Sequence, residues 1–165
     1  MATTAFKGTP VHTVGELPVV GSKAPAASLS GADLSELTAE TFSGKRVILN
    51  IFPSIDTPVC ATSVRRFNQL ASGLEDTVVV CASADLPFAA SRFCGAEGLD
   101  NVVTGSSFRS DFGTAFGVEL ADSGMKGLLA RSVIVIDADG TVLHSQLVPE
   151  ITTEPDYDAA LAALA

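Results

Sequence analysis

The stretch VILNIFPSIDTPVC, from Val47 to Cys60, decides the fold of this chain. Its first part, Val47–Phe52, is an apolar run with β-branched side chains, which predicts a central strand covered on both faces. Thr57 is a good residue to cap a helix, and Pro58 suits the first helical position because no N–H is needed there. The stretch therefore predicts a strand, a tight loop and a helix whose third residue is Cys60.

Cys60 falls where a helix favours an anion. The N–H groups of a first helical turn have no partner within the helix, and the positive end of the helix dipole lies at the same place. This position favours a thiolate, so Cys60 is a candidate nucleophile at neutral pH. The alternative is a buried, inert cysteine that happens to begin a helix, and the local pattern leaves both open.

Composition and charge limit the function classes. The chain has 165 residues, 47% of them hydrophobic and 18% charged, so we expect one globular domain over residues 1–165. Its net charge is −9 and no basic run is present, so neither nucleic acid nor an anionic membrane is an expected partner. The N-terminal residues lack the pattern of a signal peptide, and we expect a cytoplasmic location. Three cysteines and two histidines lack the spacing of a metal site.

Apolar patterns along the rest of the chain alternate between strands and helices. Val64, Phe67, Ala71 and Leu74 recur every three or four residues after Cys60, as on the buried face of a helix. The other predicted elements are an N-terminal hairpin extension in 1–20 around Gly8 and Pro10, a short strand at 27–29, a short helix in 34–44, a strand at 77–82, a helix from Pro87 to Gly95, a strand at 101–103, a helix at 108–116, strands at 131–137 and 141–148 joined at Asp139-Gly140, and a terminal helix after Thr153–Asp156. This order predicts an α/β fold, a three-layer α/β/α sandwich with a mixed central sheet and an N-terminal β-hairpin.

Five blocks of sequence resemble one known family. The first, Asn50–Cys60, contains the pattern Pro53-x-x-x-Thr57-x-x-Cys60. The others follow in the same order: DLPFA at 85–89, RFCGAEG at 92–98, GLLAR at 127–131 and EITTEPDY at 150–157. Together they resemble the peroxiredoxins, and within them the thiol peroxidase subfamily, over nearly the whole chain. The resemblance implies a thioredoxin-like fold and a thioredoxin-dependent peroxidase.

The resemblance also implies a role for each candidate site residue. Cys60 would be the peroxidatic cysteine, and Cys94 would resolve its sulfenic acid as an intramolecular disulfide. Pro53, Thr57 and Arg131 would complete the site. The implied substrates are hydrogen peroxide and alkyl or lipid hydroperoxides, the implied reductant is thioredoxin, and the implied assembly is a homodimer. No flavin, haem or metal cofactor is required.

Each of the three supporting residues has a plainer structural alternative. A firmly held guanidinium at Arg131 would stabilise the thiolate and the leaving oxygen, but the alternative is an ordinary surface arginine at a strand end. The hydroxyl of Thr57 has two competing uses, which are to cap the helix backbone or to bond the thiolate and the peroxide. Pro53 either excludes water from the sulfur or only ends the strand.

A disulfide between Cys60 and Cys94 requires a rearrangement. Both cysteines lie in predicted helices, and a disulfide needs Cα atoms within about 7 Å of each other. Cys94 is expected at a helix end beside the flexible Gly95–Gly98, whereas Cys81 lies inside a strand as a core residue. We therefore predict that one or both helix ends unwind for the bond to form.

Two rival functions also use a reactive cysteine. A thiol–disulfide oxidoreductase normally carries Cys-x-x-Cys, whereas the sequence Cys60-Ala61-Thr62-Ser63 has no second cysteine. A non-enzymatic redox sensor that switches through a Cys60–Cys94 disulfide stays open as an alternative.

Overall fold

Nine strands and four helices make up residues 1–165 in the computed structural model. In chain order they are β1 (Thr3–Phe6), β2 (Thr9–His12), β3 (Leu29–Ser30), β4 (Glu36–Leu37), β5 (Arg46–Ile51), α1 (Pro58–Ala71), β6 (Thr77–Ser83), α2 (Pro87–Glu97), β7 (Val103–Ser106), α3 (Phe112–Ala115), β8 (Ser132–Ile136), β9 (Val142–Leu147) and α4 (Tyr157–Ala162). Seven strands form a mixed sheet in the order β4-β3-β7-β6-β5-β8-β9, and β1 and β2 pair separately. The predicted α/β class is confirmed.

Strand β5 lies in the middle of this sheet, as its apolar run predicts. It pairs in parallel with β6 on one side and antiparallel with β8 on the other. Because successive side chains of a strand point to opposite faces, Ile48 packs into one apolar layer and Leu49 into the other. Burial on both faces explains why every residue of the strand from Val47 to Ile51 except Asn50 is apolar.

The two apolar layers give the predicted sandwich. On one face, side chains of α1, α2 and α4 cover the sheet, with Phe67, Phe93 and Ala160 in one cluster. On the other face, Phe112 and Phe116 stack with ring centroids 4.5 Å apart and pack over the sheet with the loop segments. None of the helices is long and apolar enough to cross a lipid bilayer.

The N-terminal hairpin is present but shorter than predicted. It turns at Lys7 and Gly8, which both have positive φ, as a two-residue hairpin turn demands. The prediction extended the hairpin over residues 1–20 and placed Pro10 near its turn, but Pro10 lies inside β2 opposite Ala5. A proline is tolerated there because each strand of an isolated hairpin has one unpaired edge.

Helix α2 ends later than the predicted Gly95. It continues to Glu97, and Gly98 adopts a left-handed conformation (φ 66°) whose N–H caps the carbonyl of Cys94. Glycine favours this conformation because it has no Cβ. Cys94 therefore lies within the helix and not at its end, which corrects the predicted position.

Three further element boundaries differ from the prediction. The expected short helix in 34–44 is replaced by β4 and a 3-10 turn at Glu40–Phe42, and the expected strand at 101–103 is β7. The expected helix at 108–116 is helical only over α3. Side-chain hydroxyls of Ser106 and Ser110 accept the N–H groups of Phe108 and Phe112, which holds the preceding residues in turns.

Candidate active site

Cys60 lies at the predicted place. It is the third residue of α1, after Thr57 in the N-cap position with an extended backbone (φ −103°, ψ 147°) and Pro58 in the first turn. Its side chain is 0% exposed and belongs to the apolar cluster that fills the helical face of the sheet. The thiol is free. The sulfur is thus held at a helix N-terminus and screened from solvent.

Arg131 is the charged group that faces this sulfur. Its Nη2 donates to Cys60 Sγ at 3.1 Å, and its Nε donates to the carbonyl of Ile151 at 2.7 Å. The side chain is buried at 2% exposure, so the alternative of a surface arginine is wrong. The second terminal nitrogen, Nη1, is buried without a partner. A buried guanidinium with a free donor beside a sulfur can bind an oxygen atom there.

Thr57 and Pro53 both lie in the segment before α1. The Thr57 hydroxyl donates to the carbonyl of Ser54 at 2.9 Å, so in this structure it neither caps the helix nor bonds Cys60. Its side chain is exposed, whereas Pro53 is buried. Because the hydroxyl hydrogen is used by Ser54, the Thr57 oxygen remains free to accept a hydrogen bond.

No disulfide joins Cys60 and Cys94 in this structure. Helices α1 and α2 follow the parallel strands β5 and β6, so they run in the same direction. Cys60 is the third residue of α1 and Cys94 the eighth of α2. Each sulfur is therefore held in a different folded helix, and both thiols are free.

The surroundings of Cys94 also differ from those of Cys60. Cys94 is partly exposed and lines a cleft of about 470 Å³ between α2, β7 and residues 31–37. Partial burial raises the pKa of the Cys94 thiol, and the negative charge of Asp100 raises it further. In the folded helix Cys94 is therefore kept in its thiol form.

Cys81 is a core residue, as predicted. It lies within β6 at 2% exposure, and Asn50 Nδ2 approaches its sulfur at 3.7 Å. Burial raises the pKa of Cys81 to about 12. A thiol so placed stays protonated and is shielded from reagents.

Sequence reasoning missed two groups of polar residues around Cys60. Asp85, just beyond β6, accepts hydrogen bonds from Ser54 Oγ and the Ile55 N–H at 2.9 and 2.7 Å. On the other side, Asn50 Nδ2 donates to Ser63 Oγ at 3.2 Å, and Ser63 donates to the carbonyl of Cys60 at 2.8 Å. Their place in the sequence could have indicated them, because residues at the carboxyl ends of the parallel strands β5 and β6 meet at one edge of the sheet.

Comparison with known proteins identifies the family. Residues 19–161 match the Redoxin family. The thiol peroxidases of Mycobacterium tuberculosis (strain ATCC 25618 / H37Rv) and Corynebacterium glutamicum are each 57% identical to this chain over 164 residues, which is 99% of this chain and 99% of the relative. The chain belongs to the thiol peroxidase family. The predicted family is thus confirmed, and membership supports a peroxidase that reduces peroxides.

Solved structures agree on the fold. A peroxiredoxin-like protein from Aquifex aeolicus matches with a TM-score of 0.93 and 39% identity, over 99% of this chain and 96% of that one. A thiol peroxidase from Chromobacterium violaceum matches with a TM-score of 0.90 over 98% and 94% of the two chains, although only 20% of residues are identical. The predicted thioredoxin-like architecture of the thiol peroxidase family is therefore confirmed.

Proposed function

We propose that this chain is a thioredoxin-dependent peroxidase that reduces hydrogen peroxide and organic hydroperoxides through Cys60. The observation that carries the proposal is the contact of 3.1 Å between Arg131 Nη2 and Cys60 Sγ inside the apolar core. A guanidinium stays charged at all relevant pH values, so this contact places a permanent positive charge beside the sulfur that attacks the peroxide. We also propose that residues 1–165 act as one domain.

The first step is attack of the Cys60 thiolate on one peroxide oxygen. An S–O bond forms, the O–O bond breaks, and the second oxygen leaves as an anion that takes a proton from solvent to give an alcohol or water. Arg131 Nη1 has no other partner and would donate to the peroxide or to the leaving oxygen. The Thr57 oxygen would accept the hydrogen bond of the incoming hydroperoxide, while the buried Pro53 would help to exclude water.

Peroxide needs a way to the sulfur, because Cys60 is fully covered. The exposed Thr57 lies at the surface end of the same helical turn. We propose that a small opening of this turn admits the O–O group. Local openings of this kind are common at helix termini.

The second step joins Cys60 and Cys94. The Cys94 thiol attacks the Cys60 sulfenic acid, an S–S bond forms, and water leaves. Because each cysteine is held in a folded helix and both thiols are free, we infer that α2 or the first turn of α1 unwinds before the bond forms. Unwinding α2 also removes the burial that raises the pKa of Cys94, so it releases a better nucleophile at the same moment.

The cycle closes when a thioredoxin-type dithiol reduces the disulfide and restores both thiols. We propose a cytoplasmic location, where such a reductant operates. We also propose a homodimer. Its candidate surface contains the exposed side chains of Leu86, Phe88 and Phe108, which lie near one another because Ser106 Oγ bonds both the Asp85 carbonyl and the Phe108 N–H.

The decisive experiment oxidises the reduced protein with one equivalent of an organic hydroperoxide and maps its disulfides by mass spectrometry. We expect a Cys60–Cys94 disulfide within seconds and a free thiol at Cys81, with no oxidation of Cys94 in a Cys60→Ser control. Three unchanged thiols would contradict the proposal. Rapid disulfide formation without turnover by thioredoxin would instead support the redox-sensor alternative.

A further inference from the structure

We propose that Asp85 is a positioning residue whose carboxylate holds the loop before Cys60 in the conformation that reacts with peroxide. This inference rests on the proposed function and deepens it. Asp85 lies between the end of β6 and the start of α2, and none of its hydrogen bonds is to Cys60. It acts through the segment that carries Pro53 and Thr57.

The carboxylate of Asp85 gathers donors from two different parts of the chain. Its Oδ1 accepts from Ser54 Oγ at 2.9 Å, and its Oδ2 accepts from the Ile55 N–H at 2.7 Å and from Ser83 Oγ at 2.6 Å. The bonds from the Ile55 N–H and Ser83 Oγ are short, as is usual for strong hydrogen bonds to a carboxylate, and the bond from Ser54 Oγ has an ordinary length. Two of the three bonds fix the loop between β5 and α1.

The effect passes from this loop to the first turn of α1. The carbonyl of Ser54 accepts from the Thr57 N–H at 3.2 Å and from the Thr57 hydroxyl at 2.9 Å. Ser54 Oγ also accepts from the Asp56 N–H at 3.2 Å. Asp85 therefore holds Ser54 in place, and Ser54 in turn holds the Thr57 hydroxyl. Thr57 is the N-cap residue of the helix that carries Cys60.

Asp85 is itself anchored to the sheet. Its N–H donates to Ser83 Oγ at 3.2 Å, and its carbonyl accepts from Ser106 Oγ. Ser83 and Ser106 are the paired last residues of the neighbouring strands β6 and β7. The one polar side-chain link from α2 itself to this loop is the exposed pair of Arg92 and Asp56 at 3.3 Å, which contributes little to stability in solvent. A rigid sheet edge thus supports the carboxylate.

Positioning matters here because thiolate attack requires the sulfur, both peroxide oxygens and the stabilising donors to lie in line. A displacement of about 1 Å can lower the rate about a hundredfold. We expect Asp85→Ala to lower the second-order rate constant for Cys60 oxidation by tert-butyl hydroperoxide about 10- to 100-fold. Asp85→Asn should restore part of the rate, since its amide oxygen still accepts from the Ile55 N–H.

The test compares two reactions of Cys60 in each variant. Peroxide oxidation needs the ordered loop, whereas alkylation by iodoacetamide needs only an accessible thiolate. We expect Asp85→Ala to lower the ratio of the peroxide rate to the alkylation rate. The matched control is Asp139→Ala, which removes a carboxylate that accepts the Thr141 N–H at 2.9 Å in the β8–β9 turn, and its ratio should equal that of the unaltered protein.

Each outcome decides between the two proposals. If the unaltered protein is inert to peroxide, the proposed function fails and this inference falls with it. If the unaltered protein reacts but Asp85→Ala keeps its peroxide rate, or loses both rates in parallel, only the role of Asp85 is overturned. If Asp85→Ala does not fold, Asp85→Asn decides: a ratio at least threefold lower supports the proposal, and an unchanged ratio overturns it.

Discussion

The Nε–H of Arg131 donates to the carbonyl of Ile151 at 2.7 Å. This bond orients the guanidinium so that Nη2 points at Cys60 Sγ and Nη1 is left for a further acceptor. The geometry needs a planar group with donors in fixed directions, which arginine has and lysine lacks. A loop carbonyl far along the chain therefore takes part in placing a charge beside the sulfur.

Replacement of Arg131 by lysine should impair the peroxide step. The donors of a lysine ammonium all radiate from one nitrogen, so they cannot reproduce the spaced contacts of Nε with Ile151 and of Nη2 with Cys60 and also reach a leaving oxygen. We expect Arg131→Lys to lower the second-order rate constant with organic hydroperoxide about 10²- to 10³-fold, the range for loss of one transition-state donor. This rate constant is measured by stopped-flow mixing of the reduced protein with the peroxide.

The control for this prediction is Arg109→Lys. The Arg109 guanidinium also donates to a backbone carbonyl, that of Leu34 at 2.7 Å, but it is exposed and has no contact with Cys60. Its replacement should leave the rate unchanged. Equal rates for both variants would remove Arg131 from the proposed site.

Glu150 should make the stability of the protein depend on acid pH. Its carboxylate accepts the N–H groups of Lys7, Gly8 and Thr152, and these bonds lower its pKa to about 2. A carboxyl whose pKa is lower in the folded state stabilises the fold above its unfolded pKa of about 4.3, and this stabilisation is lost as pH falls toward 2. The melting temperature of Glu150→Gln should therefore be lower than that of the unaltered protein at pH 7, and the two melting temperatures should be equal near pH 2.

The exposed Glu75 provides the comparison, because no hydrogen bond of its side chain is present. Glu75→Gln should leave the pH dependence of the melting temperature unchanged. If Glu150→Gln also leaves the pH dependence unchanged, the hydrogen bonds between the Glu150 carboxylate and the N-terminal hairpin do not stabilise the fold.

Cys81 should be inert in the folded protein. Its thiol is buried and its pKa is raised to about 12, so neither access nor ionisation favours reaction. We expect iodoacetamide at pH 8 to label the partly exposed Cys94 faster than Cys81, and to leave Cys81 unlabelled until urea unfolds the chain. Mass spectrometry of the labelled peptides checks this, and labelling of Cys81 at the rate of Cys94 would contradict it.

The parts of the site that follow local rules could be predicted from the sequence. Thr57, Pro58 and Cys60 occupy their predicted positions, and the missing proline N–H acts within one turn of helix, although the Thr57 hydroxyl bonds Ser54 and does not cap the helix. The central place of β5 follows from an apolar run that suits burial on both faces.

The parts that depend on long-range contacts could not be predicted in this way. Burial of Arg131 depends on the loop at Ile151, and the role of Asp85 depends on Ser54, thirty-one positions earlier in the chain. The end of α2 was misplaced because the sequence offers both Gly95 and Gly98. Only the folded chain shows that Gly98 takes the left-handed cap while Gly95 stays helical.

Gly95, which was wrongly predicted to end α2, allows a test of helix unwinding. Gly95 lies inside α2, and a Cβ added there would meet no atom within 4 Å. Alanine stabilises a helix interior over glycine by about 0.5–1 kcal/mol, so Gly95→Ala should make α2 harder to unwind. If unwinding precedes disulfide formation, the variant should form the Cys60–Cys94 bond about two- to fivefold more slowly.

The measurement separates the two chemical steps. Sulfenic acid formation at Cys60, followed with a trapping reagent after rapid mixing with peroxide, should proceed at the same rate in Gly95→Ala and in the unaltered protein. Disulfide formation, followed by quenching and mass spectrometry, should be slower in the variant alone. Gly124→Ala, which also adds a Cβ into open space but outside any helix, controls for the extra methyl group. Equal disulfide rates in all three proteins would place the unwinding at α1 and not at α2, because α1 is then the remaining element that can bring the two sulfurs together.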